Sequence, residues 1–417
     1  MSAPKTHPAR EPPPAEPAAR ERTQREAGAT IVVPAGSLPQ ALATAEPGQT
    51  LLLGAGIHAG PLTLDRPVRL IAQPGAVIEG PGHGTVVLLE ADGITLEGLE
   101  IRGSGGDLSH DDAVVRLKQS HDIRIADCRI KARAFGIYIE AGGGHRLERN
   151  QVVGDATLAL ASRGNGIHLW HTRDNTVRDN TLADVRDGVY LSFAHDNRIV
   201  GNRGRGLRYG IHYMYSERNL LRENHFSNGT GGIAMMFSMR NRVEANHTVN
   251  NRDFGILCQQ LESSTVVGNH AERNGRGLFI EGSVGNRFAD NRIRANGVGA
   301  FLTAASEANI FTGNIFDGNL VQVYQDRSAG NAWWQDGRGN AWSDYAGFDW
   351  NGDGVGESPY RLETAASALL ARRPAARWFL LSPVLAVLDW WDAQMPSPAG
   401  PEAFDRFPLV VAAGRLP

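Results

Sequence analysis

The sequence predicts an all-β fold, a parallel β-helix wound in coils of about 22 residues. Three observations carry that expectation. First, an N-x-φ-x-x-N unit (φ apolar) recurs as NTVRDN, NRIVGN, NLLREN and NRVEAN, then as STVVGN, NRFADN and NIFTGN. Its last Asn falls at Asn180, Asn202, Asn224, Asn246, Asn269, Asn291 and Asn314, in steps of 22 or 23 residues. Second, each unit is followed by a Gly and a short apolar run, as in GIYIE from Gly136, GVYLS from Gly188, GIHYM from Gly210 and GIAMM from Gly232. Runs this short, separated by Asn, Gly and Asp, read as strands and lack the longer periodicity of helices. Third, 49 of 417 residues are Gly, with 41% of the chain hydrophobic. That combination means many turns around a real core, neither collagen nor a disordered chain.

Taken in order, residues 1–29 are rich in Pro, Ala and charge and read as a disordered lead-in. They contain no apolar stretch of the kind a signal peptide needs. Residues 30–330 form the coils, some twelve or thirteen of them, stacked about 4.8 Å apart into a rod on the order of 60 Å long. The Asn column becomes a ladder of stacked amides at a turn, with Asn150 and Cys128 in the same column upstream. A net charge of −3 argues against nucleic acid as a partner. Cys128 and Cys258 lie several coils apart, too far for a disulfide, and read as buried core residues. No run of 18 apolar residues is present to span a bilayer.

Strand parity sorts the residues after each Gly. The first and third positions are mostly apolar and face inward. The second (Tyr138, His168, Tyr190, His212, Ala234, Leu257, Phe279, Phe301) and the fourth (Glu140, Trp170, Ser192, Met214, Met236, Gln259, Glu281, Thr303) face out. Such an aromatic, His- and Met-rich stripe marks a contact surface. Met214 and Met236 sit on adjacent coils, and His212 lies two residues from Met214, roughly 7 Å along the strand. Two thioethers and an imidazole form a soft set suited to Cu(I). The same methionines also suit an adaptable partner-binding surface, and spacing alone leaves both readings open. Met239, His168 and His195 are alternative members. His225, His247 and His270 form a second outward column, which reads as solvated polar residues or as stacked imidazoles around a metal.

Residues 331–417 break the repeat. Asp349, Asn351, Asp353 and Gly354 match the start of a calcium loop, but its twelfth position is Tyr360 where Glu is needed. Calcium is therefore set against a Gly-rich turn capping the rod, with Trp333, Trp334, Trp342 and Trp350 covering the last coil. The stretch ARWFLLSPVLAVLDWW is too short to cross a membrane. It can bury against the rod, lie at a membrane interface or dock on a membrane protein; with the apolar tail FDRFPLVV it reads in preference as a docking segment, anchored by Trp378, Phe379, Trp390 and Trp391.

The combination of GIHYMYSERN, GIAMMFSMRNRV, the Asn-ladder coils and WSDYAGFDWNGDGVGESPY resembles the NosD-type maturation proteins of nitrous oxide reductase, over about residues 30–411. The resemblance implies a right-handed parallel β-helix in the periplasm, although no signal sequence is evident. It implies a non-catalytic role beside an ABC transporter, whose permease and ATPase subunits would carry the membrane contact and the ATP hydrolysis. Other implied partners are a copper chaperone lipoprotein and nitrous oxide reductase, whose copper–sulfur cluster the assembly helps build. Copper handling by the family maps onto His212, Met214 and Met236. The chain itself lacks a P-loop. The rival reading is a polysaccharide lyase, hydrolase or epimerase on the same scaffold. GHG at Gly82–Gly84, Asp111–Asp112 and RIK at Arg129–Lys131 are only scraps of such motifs, in the wrong order. A third reading is a structural adaptor that binds no metal.

Overall fold

The computed structural model describes residues 30–328, 330–362 and 404–410, and beyond these only positions 369, 382–384, 387 and 391. The expected lead-in at residues 1–29 lies outside them, as do Trp378, Phe379 and Trp390 of the expected docking segment.

The chain winds as a parallel β-helix of three long sheets. Each coil visits sheets A, B and C in turn, for example through Arg198–Val200, Arg203–Arg205 and Tyr209–Met214. Sheets A and B hold 13 strands each and sheet C holds 12. The register is uniform. Val189 pairs with Ile211 and Ile211 with Ile233 in parallel, so each residue sits over its repeat equivalent. Inward positions follow parity: Ile211, Tyr213, Ile233, Met235, Ile256 and Cys258 are all 0% exposed. One continuous apolar column therefore fills the rod from end to end. Both cysteines are free and buried.

Two Asn ladders run along the turns on either side of sheet A, and a third follows sheet B. Asn180, Asn202, Asn224 and Asn246 form part of the expected one. The Asn224 amide donates to Ile199 O at 2.8 Å and to Asn246 Oδ1 at 2.9 Å, while its own Oδ1 accepts from Asn202 N at 3.0 Å. The first Asn of each unit makes a second ladder, as between Asn175 and Asn197. A third links Asn251, Asn274, Asn296 and Asn319. The ladder Asn itself does not take the left-handed backbone. The residue before it does: Asp179 has φ 57°, Glu223 56° and Ala245 51°. The Asn side chain bonds the buried peptide groups that this turn leaves open.

The far end of the rod is closed by aromatic stacking. Trp333 lies on Phe311 at 4.2 Å, Trp342 on Phe316 at 4.5 Å, and Tyr360 on Trp342 at 4.4 Å. Sheet B continues past residue 330 to a last strand at Ala341–Trp342. Trp350 does not join this cap; it is 79% exposed beside Phe348. Much of FDRFPLVV is built into the rod and is not a free apolar patch. Phe404–Asp405 pairs antiparallel with Tyr360–Arg361, and Leu409 bridges to Ala341. Asp405 is fully buried and accepts from Asn340 N at 2.6 Å and Trp342 Nε1 at 3.0 Å, which ends the second-Asn ladder.

Candidate functional site

Sheet C brings the main sequence candidates together on its outer face. In the strand Tyr209–Met214, His212 and Met214 point the same way, one pleat apart. Met214 pairs directly with Met236 on the next coil, and His212 with Ala234. Both methionines are half-buried.

Parity gave the direction of this column correctly but not its exposure. His212 is only 7% exposed and Tyr138 5%, while Ala234 is fully covered. Much of the cover comes from the position just before the repeat Gly, where three coils carry an aromatic ring (Phe135, Tyr209 and Phe254). Phe135 lies edge-on to Tyr138 at 5.2 Å and to His168 at 5.1 Å. Tyr209 does the same to His212 at 5.1 Å, and its other neighbour is Phe254 at 5.4 Å. Tyr190 closes the remaining side of His212, edge-on at 4.9 Å.

His212 is held from one side and bare on the other. Its Nδ1 lies 3.0 Å from Oδ2 of Asp187, a fully buried carboxylate on the preceding coil. Arg208 donates to both oxygens of that carboxylate, through Nε to Oδ1 at 2.8 Å and through Nη2 to Oδ2. Burial alone would raise the Asp187 carboxyl, but the Arg208 and His212 contacts offset this and hold it below the ordinary carboxylate range. His212 Nε2 is buried with no hydrogen-bond partner. The Met214 sulfur is turned to the preceding coil, where it accepts from Tyr190 Oη at 3.4 Å. Met236 packs on the apolar cluster of Ala234, Phe254 and Leu257.

The other candidates lie apart from this group. His168 is two coils away, between Tyr138 and Tyr190 at 4.6 Å each, and burial pushes its imidazole down to about 3. His195 accepts from Glu217 N at 3.3 Å. Met239 bridges to Glu217 around the same turn. His225, His247 and His270 stack as expected, with centroids 5.9 and 4.6 Å apart and planes within 20°. In-plane lone pairs on parallel rings do not converge on one ion. Around Asp349, the carboxylate accepts from Gly352 N at 2.7 Å and Gly354 N at 2.8 Å, and Asp353 from Val355 N at 2.8 Å. The loop thus closes on its own backbone. Among the described residues no cluster of three or more His, Cys, Asp or Glu is placed to hold an ion.

One feature of this face has no precursor in the parity argument. His171, Phe193, Tyr215 and Phe237, all at φ 48–51°, stack along four coils with centroids 4.8, 5.1 and 5.1 Å apart. The ridge is exposed and lies one residue beyond Met214 and Met236. Left-handed aromatic residues break strand alternation, so a strand count passes over them.

Comparison with known proteins gives this geometry a family. A family profile described as "Periplasmic copper-binding protein (NosD)" matches residues 148–347, and one described as "Right handed beta helix region" matches residues 75–182. A Pseudomonas aeruginosa protein named "Probable ABC transporter binding protein NosD" is 42% identical over 373 residues, 86% of this chain and 87% of that protein. The chain belongs to the NosD family. A Stutzerimonas stutzeri protein of the same name is 40% identical over 374 residues, with 86% of each chain covered. Among solved structures, a PL6 alginate lyase with bound trisaccharide superposes with TM-score 0.56 at 11% identity, covering 76% of this chain and 86% of that one. The A-module of an Azotobacter vinelandii mannuronan C-5 epimerase gives 0.53 at 15% identity, covering 72% and 94%. These two share the fold; at such identities they say nothing of activity.

Proposed function

We propose that this NosD-family chain is a non-catalytic periplasmic factor that takes Cu(I) as cargo on His212, Met214 and Met236. It passes the ion on during assembly of the copper–sulfur cluster of nitrous oxide reductase. The family description supports copper and the periplasm. The relatives' names support work beside an ABC transporter. The observation that carries the site is the bare, buried Nε2 of His212, on the strand of one methionine and one coil from the other.

The donors suit the cargo. Imidazole and thioethers are soft and neutral, so they hold Cu(I) without a large charge to break on release. Transfer then proceeds by ligand exchange and needs no change of oxidation state. The site is covered: Tyr209 and Tyr190 lie over the imidazole, and Tyr190 holds the Met214 sulfur. Loading requires these rings to move and Met214 to turn back towards Met236. A partner subunit acting on this face supplies that opening. A copper chaperone lipoprotein is the proposed donor, and the transporter's permease and ATPase the proposed anchor through residues 331–417.

The test is a Cu(I) titration of the purified protein against a competing chelator. His212→Ala, Met214→Ala and Met236→Ala should each weaken binding by about tenfold or more, that is about 1.4 kcal/mol or more. Unchanged affinity in all three removes the site.

A further inference from the structure

We propose that Asp187, clamped by Arg208, is a positioning residue that fixes His212 in the Nδ1–H tautomer and so keeps Nε2 free as a copper donor. This rests on the copper reading above and adds residues that no comparison assigns.

The tautomer follows from the contacts. His212 Nδ1 faces Asp187 Oδ2 at 3.0 Å and Arg208 Nη2 at 3.3 Å. A bare Nδ1 would set its lone pair against a carboxylate oxygen inside the protein, where repulsion is weakly screened. A protonated Nδ1 donates to that oxygen at a normal distance. Arg208 already donates twice to Asp187, so it does not need the imidazole as an acceptor. The Nδ1 proton therefore belongs between His212 and Asp187. Nε2 then carries the lone pair, and no protein donor occupies it. A carboxylate behind a ligating imidazole is the arrangement that orients metal-binding histidines and makes them more basic.

The three residues come from two successive coils, because Asp187 pairs in register with Tyr209. Repeat geometry thus sets the carboxylate beside the strand that carries His212. Tyr209 is continuous with the clamp, since the Arg208 guanidinium lies 4.9 Å over its ring. The same arginine that fixes Asp187 therefore steadies a ring that lies edge-on to His212.

Two measurements test the proposal. In the copper-free wild-type protein, nitrogen-15 NMR of labelled histidine should show His212 protonated at Nδ1 and bare at Nε2. A protonated Nε2 overturns the proposal, whatever the variants do. Asp187→Asn should weaken Cu(I) binding about 10- to 100-fold, the usual cost of losing such a partner. Asparagine has one acceptor oxygen, for which Arg208 competes, and an amide that would favour the opposite tautomer. Asp187→Ala should weaken binding similarly, and circular dichroism checks that each variant is folded. Wild-type affinity in a folded variant, with His212→Ala still weak, overturns this proposal alone. Wild-type affinity in His212→Ala overturns the copper reading, and this proposal with it.

Discussion

Tyr190 touches both halves of the proposed site, with its ring edge-on to His212 and its hydroxyl on the Met214 sulfur. Copper bound at that sulfur would compete with this hydrogen bond. Tyr190→Phe keeps the ring and removes the competitor. It should tighten Cu(I) binding by about 2- to 10-fold, matching a net hydrogen bond of about 0.5–1.5 kcal/mol. Chelator competition reads this directly, and weaker binding in the variant would contradict it. The identity and outward direction of His212, Met214 and Met236 were legible in the sequence, because a strand has period two and the repeat fixes its phase. The covering of His212 was not. It depends on Tyr209, which stands before the repeat Gly, and on Asp187, which stands at that same position one coil earlier. Reading down the column before the Gly would have shown Asp187, Tyr209 and Phe254, the residues that wall and hold the site.

At the level of the element, the ladders bind coil to coil. In the second-Asn ladder, Asn180, Asn202, Asn224 and Asn246 each satisfy a peptide N–H of the neighbouring coil, a carbonyl and the next amide, all buried. Asn224→Ala removes these bonds and strands the Asn202 N–H in the interior. The expected cost is roughly 2–5 kcal/mol, read as a drop in the urea midpoint. An equal stability would mean that water replaces the amide. The coil length, the strand positions and one ladder were legible from the spacing of Asn and Gly alone. The left-handed residues were not, because they range over Asp, Asn, Glu, Arg, Ala, Ser, Gly and aromatic residues with no composition in common, and their backbone is imposed by the turn. The aromatic ridge escaped for the same reason: His171, Phe193, Tyr215 and Phe237 stand at left-handed positions that interrupt the alternation. The histidine column of sheet B was legible as a stack, but the ring planes that decide its chemistry are a tertiary matter.

For the molecule as a whole, the core sets the response to pH. His145 is fully buried near the start of the first-Asn ladder, where its Nδ1 accepts from Ile123 N at 3.2 Å. Burial pushes its imidazole down to about 4, from an ordinary value near 6.5. The folded state thus resists a proton that the unfolded chain takes up. The stability tied to this neutral ring is present above about pH 6.5 and is lost as pH falls towards 4. The slope is at most about 1.4 kcal/mol per pH unit. His145→Leu should lower stability at neutral pH yet flatten this acid limb in urea titrations run from pH 7 to 4. An unchanged slope would place the acid sensitivity elsewhere.

The antiparallel pair of Tyr360–Arg361 with Phe404–Asp405 joins two distant parts of the sequence in a single clasp at the end of the rod. Asp405 ties that clasp to Asn340 and Trp342, the final amide and the final ring of the stack. Any pull exerted on either strand of the clasp is therefore delivered to the terminus of the winding. A machine that grips this clasp holds the whole shaft by its hub.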